Sequence, residues 1–399
     1  MDNLCELLRQ KVLERIDWSR EAEDDNIREL ISQEIASTVE WEKISIKERI
    51  LLEQRVYNSL RKLDILQDLI EDDGVTEIMV NGPYKIFYEK DGEVMEYPYH
   101  FSSEEKLQDV IQQIVGRNNR VVNLSSPIVD TRLEDGSRVN IVLFPISIDG
   151  SAISIRKFPQ KPLDMEQLIR LGTITKEAAT FLKELVEAGY NIFISGGTSS
   201  GKTTFLNALS SYIPEEERII TIEDSAELQL LHRKNLVRME TRNANMEGVT
   251  SIPIRRLIHT ALRMNPDRII VGECRGEETI DMLQAMNTGH DGSLSTGHGN
   301  SSADMVKRLE TMVLMGTEIP LVAVRQQIAS AIDIFIHLEK MADKKRRVVE
   351  IAEVIGMQDG EVVLEPIYQY EGTLRKIGNL LHREKRLRKQ KKEEKEDGL

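Results

Sequence analysis

The stretch Asn191-Ile192-Phe193-Ile194-Ser195-Gly196-Gly197-Thr198-Ser199-Ser200-Gly201-Lys202-Thr203-Thr204 decides how this chain is read. From Gly196 to Thr203 it fits G-x-x-x-x-G-K-[ST]. In that pattern glycines let backbone N–H groups curl around phosphate oxygens, lysine neutralises charge and the hydroxyl of Thr203 binds Mg²⁺. Asn191 to Ser195 reads as a buried strand, and Phe205, Leu206 and Leu209 fall at helical spacing. A phosphate held by the turn would therefore lie at a helix N-terminus. The expected nucleotide-binding residues are Gly196, Gly197, Thr198, Ser199, Ser200, Gly201, Lys202, Thr203 and Thr204, with Thr203 also the expected metal ligand and ATP with Mg²⁺ the expected ligands.

On either side of the turn, helical and strand patterns alternate: a helix over Lys176 to Glu187, a strand at Ile219 to Ile222, a further helix, and the buried run Ile269-Ile270-Val271. Such alternation predicts an α/β fold with a mostly parallel sheet covered on both faces. Glu273 directly follows the last of these runs, and a carboxylate at the end of a strand beside the turn faces a γ-phosphate, so it is the expected water-activating base. Gly272 stands where an aspartate is usual, so the magnesium shell is expected to rely on Thr203, phosphates and water. Glu223, Asp224 and Glu227 follow the strand at Ile222; they read equally as holders of a magnesium-bound water or as an acidic helix start favoured by the dipole. His290 and His298 sit in glycine- and hydroxyl-rich sequence, as γ-phosphate sensors or as structural histidines, and their spacing is not that of a metal pair. Arg138, Arg156, Arg238 and Arg242 are candidates for stabilising charge in phosphoryl transfer, or surface residues.

Composition bounds the rest. Of 399 residues, 40% are hydrophobic, 30% charged and 5% aromatic, with 53 basic against 67 acidic side chains for a net charge of −14. Disorder of the whole chain is excluded by the apolar content, and a generic nucleic-acid coat by the sign of the charge. Two cysteines, Cys5 and Cys274, cannot build a disulfide framework or a four-thiolate zinc site. No apolar run reaches bilayer length and the start lacks signal-peptide features, so the chain is expected in the cytoplasm. Residues 1–60 read as short amphipathic helices, with Leu7, Val12, Ile16, Ile27, Leu30, Ile31 and Ile35 at helical spacing and 20 acids against 11 bases in the first 80 residues. Residues 61–158 read as an α+β domain, 159–172 as a linker, 173–380 as the ATPase domain and 381–399 as a charged tail.

Taken together, these motifs resemble the type II/IV secretion ATPase superfamily, and within it the CpaF-like branch of Tad/Flp pilus assembly. The resemblance rests on the turn above, on Ile222-Glu223-Asp224-Ser225-Ala226-Glu227-Leu228, and on Arg263 to Glu278 with its Val-Gly-Glu-Cys-Arg-Gly. It rests also on Met286-Asn287-Thr288-Gly289-His290-Asp291-Gly292-Ser293 and, earlier, on Glu77 to Pro83 and Ser154 to Phe158. It implies a RecA-like P-loop lobe joined by a flexible linker to an N-terminal α+β lobe, a hexameric ring, and nucleotide between the lobes. Hydrolysis would then drive an inner-membrane platform protein, with peripheral membrane association at the inner face of the cell membrane and no direct nucleic acid. The resemblance makes Glu273 the catalytic glutamate, Glu223, Asp224 and Glu227 an acidic box, His290 and His298 a histidine box, and Arg138, Arg156, Arg238 and Arg242 phosphate contacts. Glycines at 297 and 299, where the family more often has bulkier residues, predict a pliant loop around His298. The lack of a tetracysteine module favours the Tad-like branch.

Three other classes compete. A RecA-like nucleic-acid translocase or packaging ATPase shares the core, but the acidic balance and scarce aromatics oppose it. A scaffold that binds ATP without turnover has no use for Glu273, and a small-molecule kinase lacks a recognisable acceptor pocket or lid motif.

Overall fold

The computed structural model describes residues 2–16, 24–38, 45–117, 120–158, 162–230, 233–242 and 250–382. Residues 159–161 of the expected linker and 383–399 of the expected tail lie outside the described residues. Two compact units make up the chain, one over Met1–Gln160 and the other over Lys161–Ala244 and Val249–Leu399.

The first unit opens with helices α1 (Asp2–Arg15), α2 (Asp24–Thr38) and α3 (Ile46–Arg61). Their apolar faces share one core of Leu8, Val12, Ile16, Ile27, Ile31, Ile35, Leu52 and Val56. Leu7, counted on that face by its spacing, is exposed, and its neighbour Leu8 takes the buried place. After the short helix α4 (Gln67–Glu71) come β1 (Val75–Asn81), β2 (Ile86–Lys90), β3 (Glu93–Glu96), α5 (Glu104–Gly116), β4 (Ile128–Arg132), β5 (Arg138–Val142) and β6 (Ala152–Arg156). The strands form an antiparallel sheet in the order β3-β2-β1-β6-β5-β4. Helix α5 starts at the N-cap Ser103, which accepts the Lys106 N–H, and lays Leu107, Val110, Ile111 and Ile114 into the sheet's core.

The second unit contains α6 (Met165–Arg170), α7 (Lys176–Glu187), β7 (Ile192–Gly196), α8 (Lys202–Ser210), β8 (Ile219–Glu223), β9 (Leu236–Glu240), α9 (Ile254–Ala261), β10 (Arg268–Val271), α10 (Thr279–Asn287), β11 (Leu294–His298), α11 (Ser302–Gly316) and α12 (Leu321–Ala331). Strands β12 (Ile334–Lys340), β13 (Arg346–Gln358), β14 (Glu361–Tyr370) and β15 (Leu374–Lys376) close it. One nine-stranded sheet runs β15-β14-β13-β12-β7-β11-β10-β8-β9; β7 to β12 are mutually parallel, and β13 to β15 pair antiparallel. Along β7, Ile192 and Ile194 enter one core with α7 and α8 while Phe193 enters another with α9 to α12. The period-two alternation of a strand thus feeds two apolar layers, which is why the central strands are buried throughout.

The linker expected over 159–172 is shorter than its composition suggested. Asp164 forms a capping box with Gln167, and the helix it starts packs Met165 and Leu168 into the core. The periodicity reading also passed over β9 and the antiparallel run β12 to β15, whose alternation is mixed with charged residues.

Candidate functional site

In a parallel sheet the carboxyl ends of the strands and the helix starts that come after them share one edge. Here that edge carries the loop between β7 and α8, Glu223 at the end of β8, Glu273 beyond β10 and His298 at the end of β11. The register pairs His298 and Leu338 with Gly196 on either side of β7.

The loop is wound tightly. Ser199 has φ +58° and Gly201 φ +92°, both left-handed. Gly196 admits no side chain, because a Cβ there would strike the Leu338 carbonyl and come within 2.6 Å of Ser200 Oγ. Helix α8 has no side-chain cap at Gly201, and the N–H groups of a helix's first turn have no partner within the helix. Lys202 Nζ folds back on the Gly196 and Gly197 carbonyls at 3.0 and 2.9 Å. Ser200 Oγ is buried and finds no hydrogen-bond partner among the described residues. A left-handed cradle of amides, a lysine and an unpaired buried hydroxyl fit a phosphate chain. Thr203 lies in the first turn of α8. Among the described residues no group of three or more His, Cys, Asp or Glu is arranged to hold a metal, and Thr203 offers a hydroxyl at the start of α8.

From Lys202 a line of alternating partners runs across the edge. Its ammonium is 3.3 Å from His298 Nδ1, and His298 Nε2 is 2.8 Å from Glu273 Oε1. Arg275 grips the other carboxylate oxygen of Glu273 through Nε and Nη2 at 2.9 and 2.6 Å, and extends Nη1 to Asp224 at 3.1 Å. Burial, and then the charge of Lys202, push the His298 imidazole below its ordinary pKa against the pull of Glu273. A neutral ring at this place accepts from lysine at Nδ1, while its Nε2 stands against Glu273 Oε1 without the alignment of a hydrogen bond.

Glu223 is buried. Its Oε2 accepts the N–H groups of Glu227 and Leu228 at 2.7 and 2.9 Å, while Oε1 has no partner among the described residues. Burial pushes its pKa up to about 7, against those two hydrogen bonds. A Cβ on Gly272 would stand 2.9 Å from Glu223 Cγ. The missing aspartate therefore has a steric cause, since the side chain of Glu223 crosses the space that one at 272 would need.

The remaining expectations divide. Asp224 joins the line through Arg275, and Glu227 contributes its backbone to Glu223. Arg238, on β9, donates to the Ala226 carbonyl at 3.4 Å beside the acidic loop, whereas Arg242 donates to Thr250 farther along the exposed edge. His290 is not brought to this cluster. It precedes β11 at the opposite edge of the sheet, near the Ala285 carbonyl, because the full length of that strand lies between it and His298. Arg138 and Arg156 belong to the other unit, where they are register partners on β5 and β6. The pliant loop expected around His298 is corrected. A Cβ at Gly297 would meet Met305 and Phe193 at 3.0 Å and one at Gly299 would meet Met305 at 3.2 Å, so these glycines allow close packing. Two residues escaped the sequence reading: Arg275, whose opposite charge two positions from Glu273 was the available signal, and Arg346, whose Nε donates to the Ser199 carbonyl at 3.0 Å across 147 residues of chain.

Residues 59–387 match the family described as Type II/IV secretion system protein. The type IV secretion system protein PtlH of Bordetella pertussis is 31% identical over 315 residues, covering 72% of this chain and 93% of PtlH. The conjugal transfer protein TrbB of Rhizobium radiobacter is 28% identical over 305 residues, covering 76% and 90% respectively. The X-ray structure of the Legionella pneumophila ATPase DotB superposes with a TM-score of 0.53 at 22% identity, over 74% of this chain and 80% of that one, and shares the RecA-like P-loop fold.

Proposed function

Because the chain belongs to the type II/IV secretion system protein family, we propose that it hydrolyses ATP as a hexameric motor acting on an inner-membrane platform protein in Tad/Flp-type pilus assembly or secretion. The carrying observation is the convergence of a left-handed phosphate cradle with the line Lys202–His298–Glu273 on one sheet edge. In this reading Gly196 to Thr204 bind the triphosphate, Lys202 leaves the two loop carbonyls for its phosphates, and Thr203 would hold Mg²⁺, which would supply charge neutralisation. Glu273, freed on one side from Arg275, positions and activates the attacking water. His298 carries the state of the lysine to that carboxylate through its two ring nitrogens. Glu223, Asp224 and Glu227 shape the acidic side, and Arg238 is the nearest of the proposed arginines to it. Arg138, Arg156 and Arg242, with His290, remain proposed contacts, and in a ring a neighbouring subunit can supply such groups. The branch is proposed on the sequence motifs and the absence of a tetracysteine module. Peripheral membrane association at the inner face of the membrane, through a partner, is proposed on the family resemblance; separately, no helix among the described residues is long and apolar enough to cross a bilayer.

Phosphate release tests this reading. Lys202→Ala should abolish productive ATP binding, and Glu273→Gln should keep ATP but lose turnover by about two to four orders of magnitude. Wild-type turnover in Glu273→Gln would remove the assigned base. A second reading, a motor of a conjugal transfer apparatus, is favoured by the name of the TrbB relative. It uses the same chemistry, and the membrane partner captured by ATP-loaded Glu273→Gln distinguishes the two.

A further inference from the structure

The β12–β13 turn lies on the same sheet edge as the phosphate loop, because β12 runs parallel to β7 with Leu338 opposite Gly196. The turn is held closed from within. Met341 and Lys345 share a backbone hydrogen bond of 2.8 Å, the Lys345 N–H donates to Asp343 at 3.0 Å, and Arg347 grips both oxygens of Asp343 at 2.9 and 2.6 Å. This places Arg346, register partner of Lys340, against the loop: its Nε donates to the Ser199 carbonyl, and its Cδ would be 3.1 Å from a Cβ on Gly201. Ser199 is the residue of this loop that adopts left-handed backbone without being glycine. Such a conformation is costly and persists where its surroundings over-determine it. A carbonyl held by Arg346 fixes the plane of the Ser199–Ser200 peptide, whose N–H closes the loop onto the Gly197 carbonyl at 3.4 Å.

We propose that Arg346 is a positioning residue for nucleotide, bracing Ser199 and Gly201 from outside so that the loop meets the triphosphate with its amides already aligned. The proposal rests on the reading of Gly196 to Thr204 as the ATP site. Arg346 acts on the loop alone and not on the line through Glu273, so the brace strengthens binding of ground and transition state alike and shows in KM, not kcat.

The test uses the full chain with ATP and Mg²⁺, measuring affinity by titration calorimetry with the Glu273→Gln background, kcat and KM by phosphate release, and the melting midpoint without nucleotide. Arg346→Ala should weaken ATP binding about tenfold and raise KM by a similar factor, with kcat within about twofold of the parent and an unchanged midpoint, since the residue is exposed. Arg346→Lys, whose ammonium still reaches a carbonyl, should recover most of the affinity. Wild-type affinity in Arg346→Ala overturns the proposal, as does a fall in kcat at constant KM or a lowered midpoint that Arg346→Lys shares. Lys202→Ala separates the two levels of failure: if it also binds ATP normally the site itself is misread, whereas if it loses ATP while Arg346→Ala does not, only the brace is wrong.

Discussion

At the scale of single residues, Glu223 shows how one side chain settles several features together. It fills the space beside Gly272, accepts two backbone N–H groups, and is buried enough that charging it is resisted. Its pKa of about 7 stands above the ordinary 4.5, so the folded chain holds a proton there that the unfolded chain has released. That preference favours the fold below the unfolded pKa and is lost as pH rises through the folded one. Glu223→Gln cannot ionise and keeps an acceptor for the Glu227 and Leu228 amides. The melting midpoint of the variant relative to the parent should therefore rise between about pH 5 and about pH 8 and level off above. A difference independent of pH would mean the carboxyl ionises as it does in water. The acidic character of this position was legible in the sequence as a strand-end carboxylate, but its burial was not, because nothing in Ile222-Glu223-Asp224 states which carboxyl turns inward.

At the scale of elements, the edge opposite the glycine-rich loop is tied by Arg268, the first residue of β10. Its side chain is 2% exposed, pairs with Glu217 through two nitrogens, and donates to the Val186 carbonyl at the end of α7 and to the Gly292 carbonyl before β11. Gly292, at φ +81°, has no room for a side chain because the guanidinium lies where its Cβ would stand. Arg268→Met should lower stability to urea by about 3 kcal/mol, since a partly buried carboxylate and two carbonyls lose their donor at once. Adding Glu217→Met should restore part of the loss, and no restoration would assign the effect to the carbonyls alone. Both α7 and β7 were legible, one by its i, i+3, i+4 apolar positions and the other by an unbroken apolar run. Strands β12 and β13 were not: Lys340, Asp343, Lys344, Lys345, Arg346 and Arg347 interrupt the apolar pattern where the two strands turn, and a turn held by a bidentate Asp343–Arg347 pair has no glycine or proline to mark it, whereas Asp359-Gly360 before β14 was a hairpin signal left unread.

At the scale of the whole molecule, the two units are separate solutions to burying apolar surface, one an antiparallel sheet with a helix bundle and the other a mixed sheet covered on both faces. The proposed ring predicts that ATP-loaded Glu273→Gln scatters light with about six times the mass of one chain; a monomer at high protein concentration would count against it. By itself the sequence determined the parallel-sheet architecture around Ile192 to Gly196, the glycine-rich loop and the strand-end positions of Glu223 and Glu273, because periodicity and turn chemistry are local and the loop's residues are contiguous. Only the tertiary structure decided that His298 joins Lys202 to Glu273 while His290 stands at the far edge, that Glu223 excludes a side chain at 272, and that Arg346 reaches Ser199. These contacts join residues distant in the chain and carried on different strands and loops, up to the 147 positions between Ser199 and Arg346. They depend on strand order and register, which a chain specifies only when the whole sheet closes.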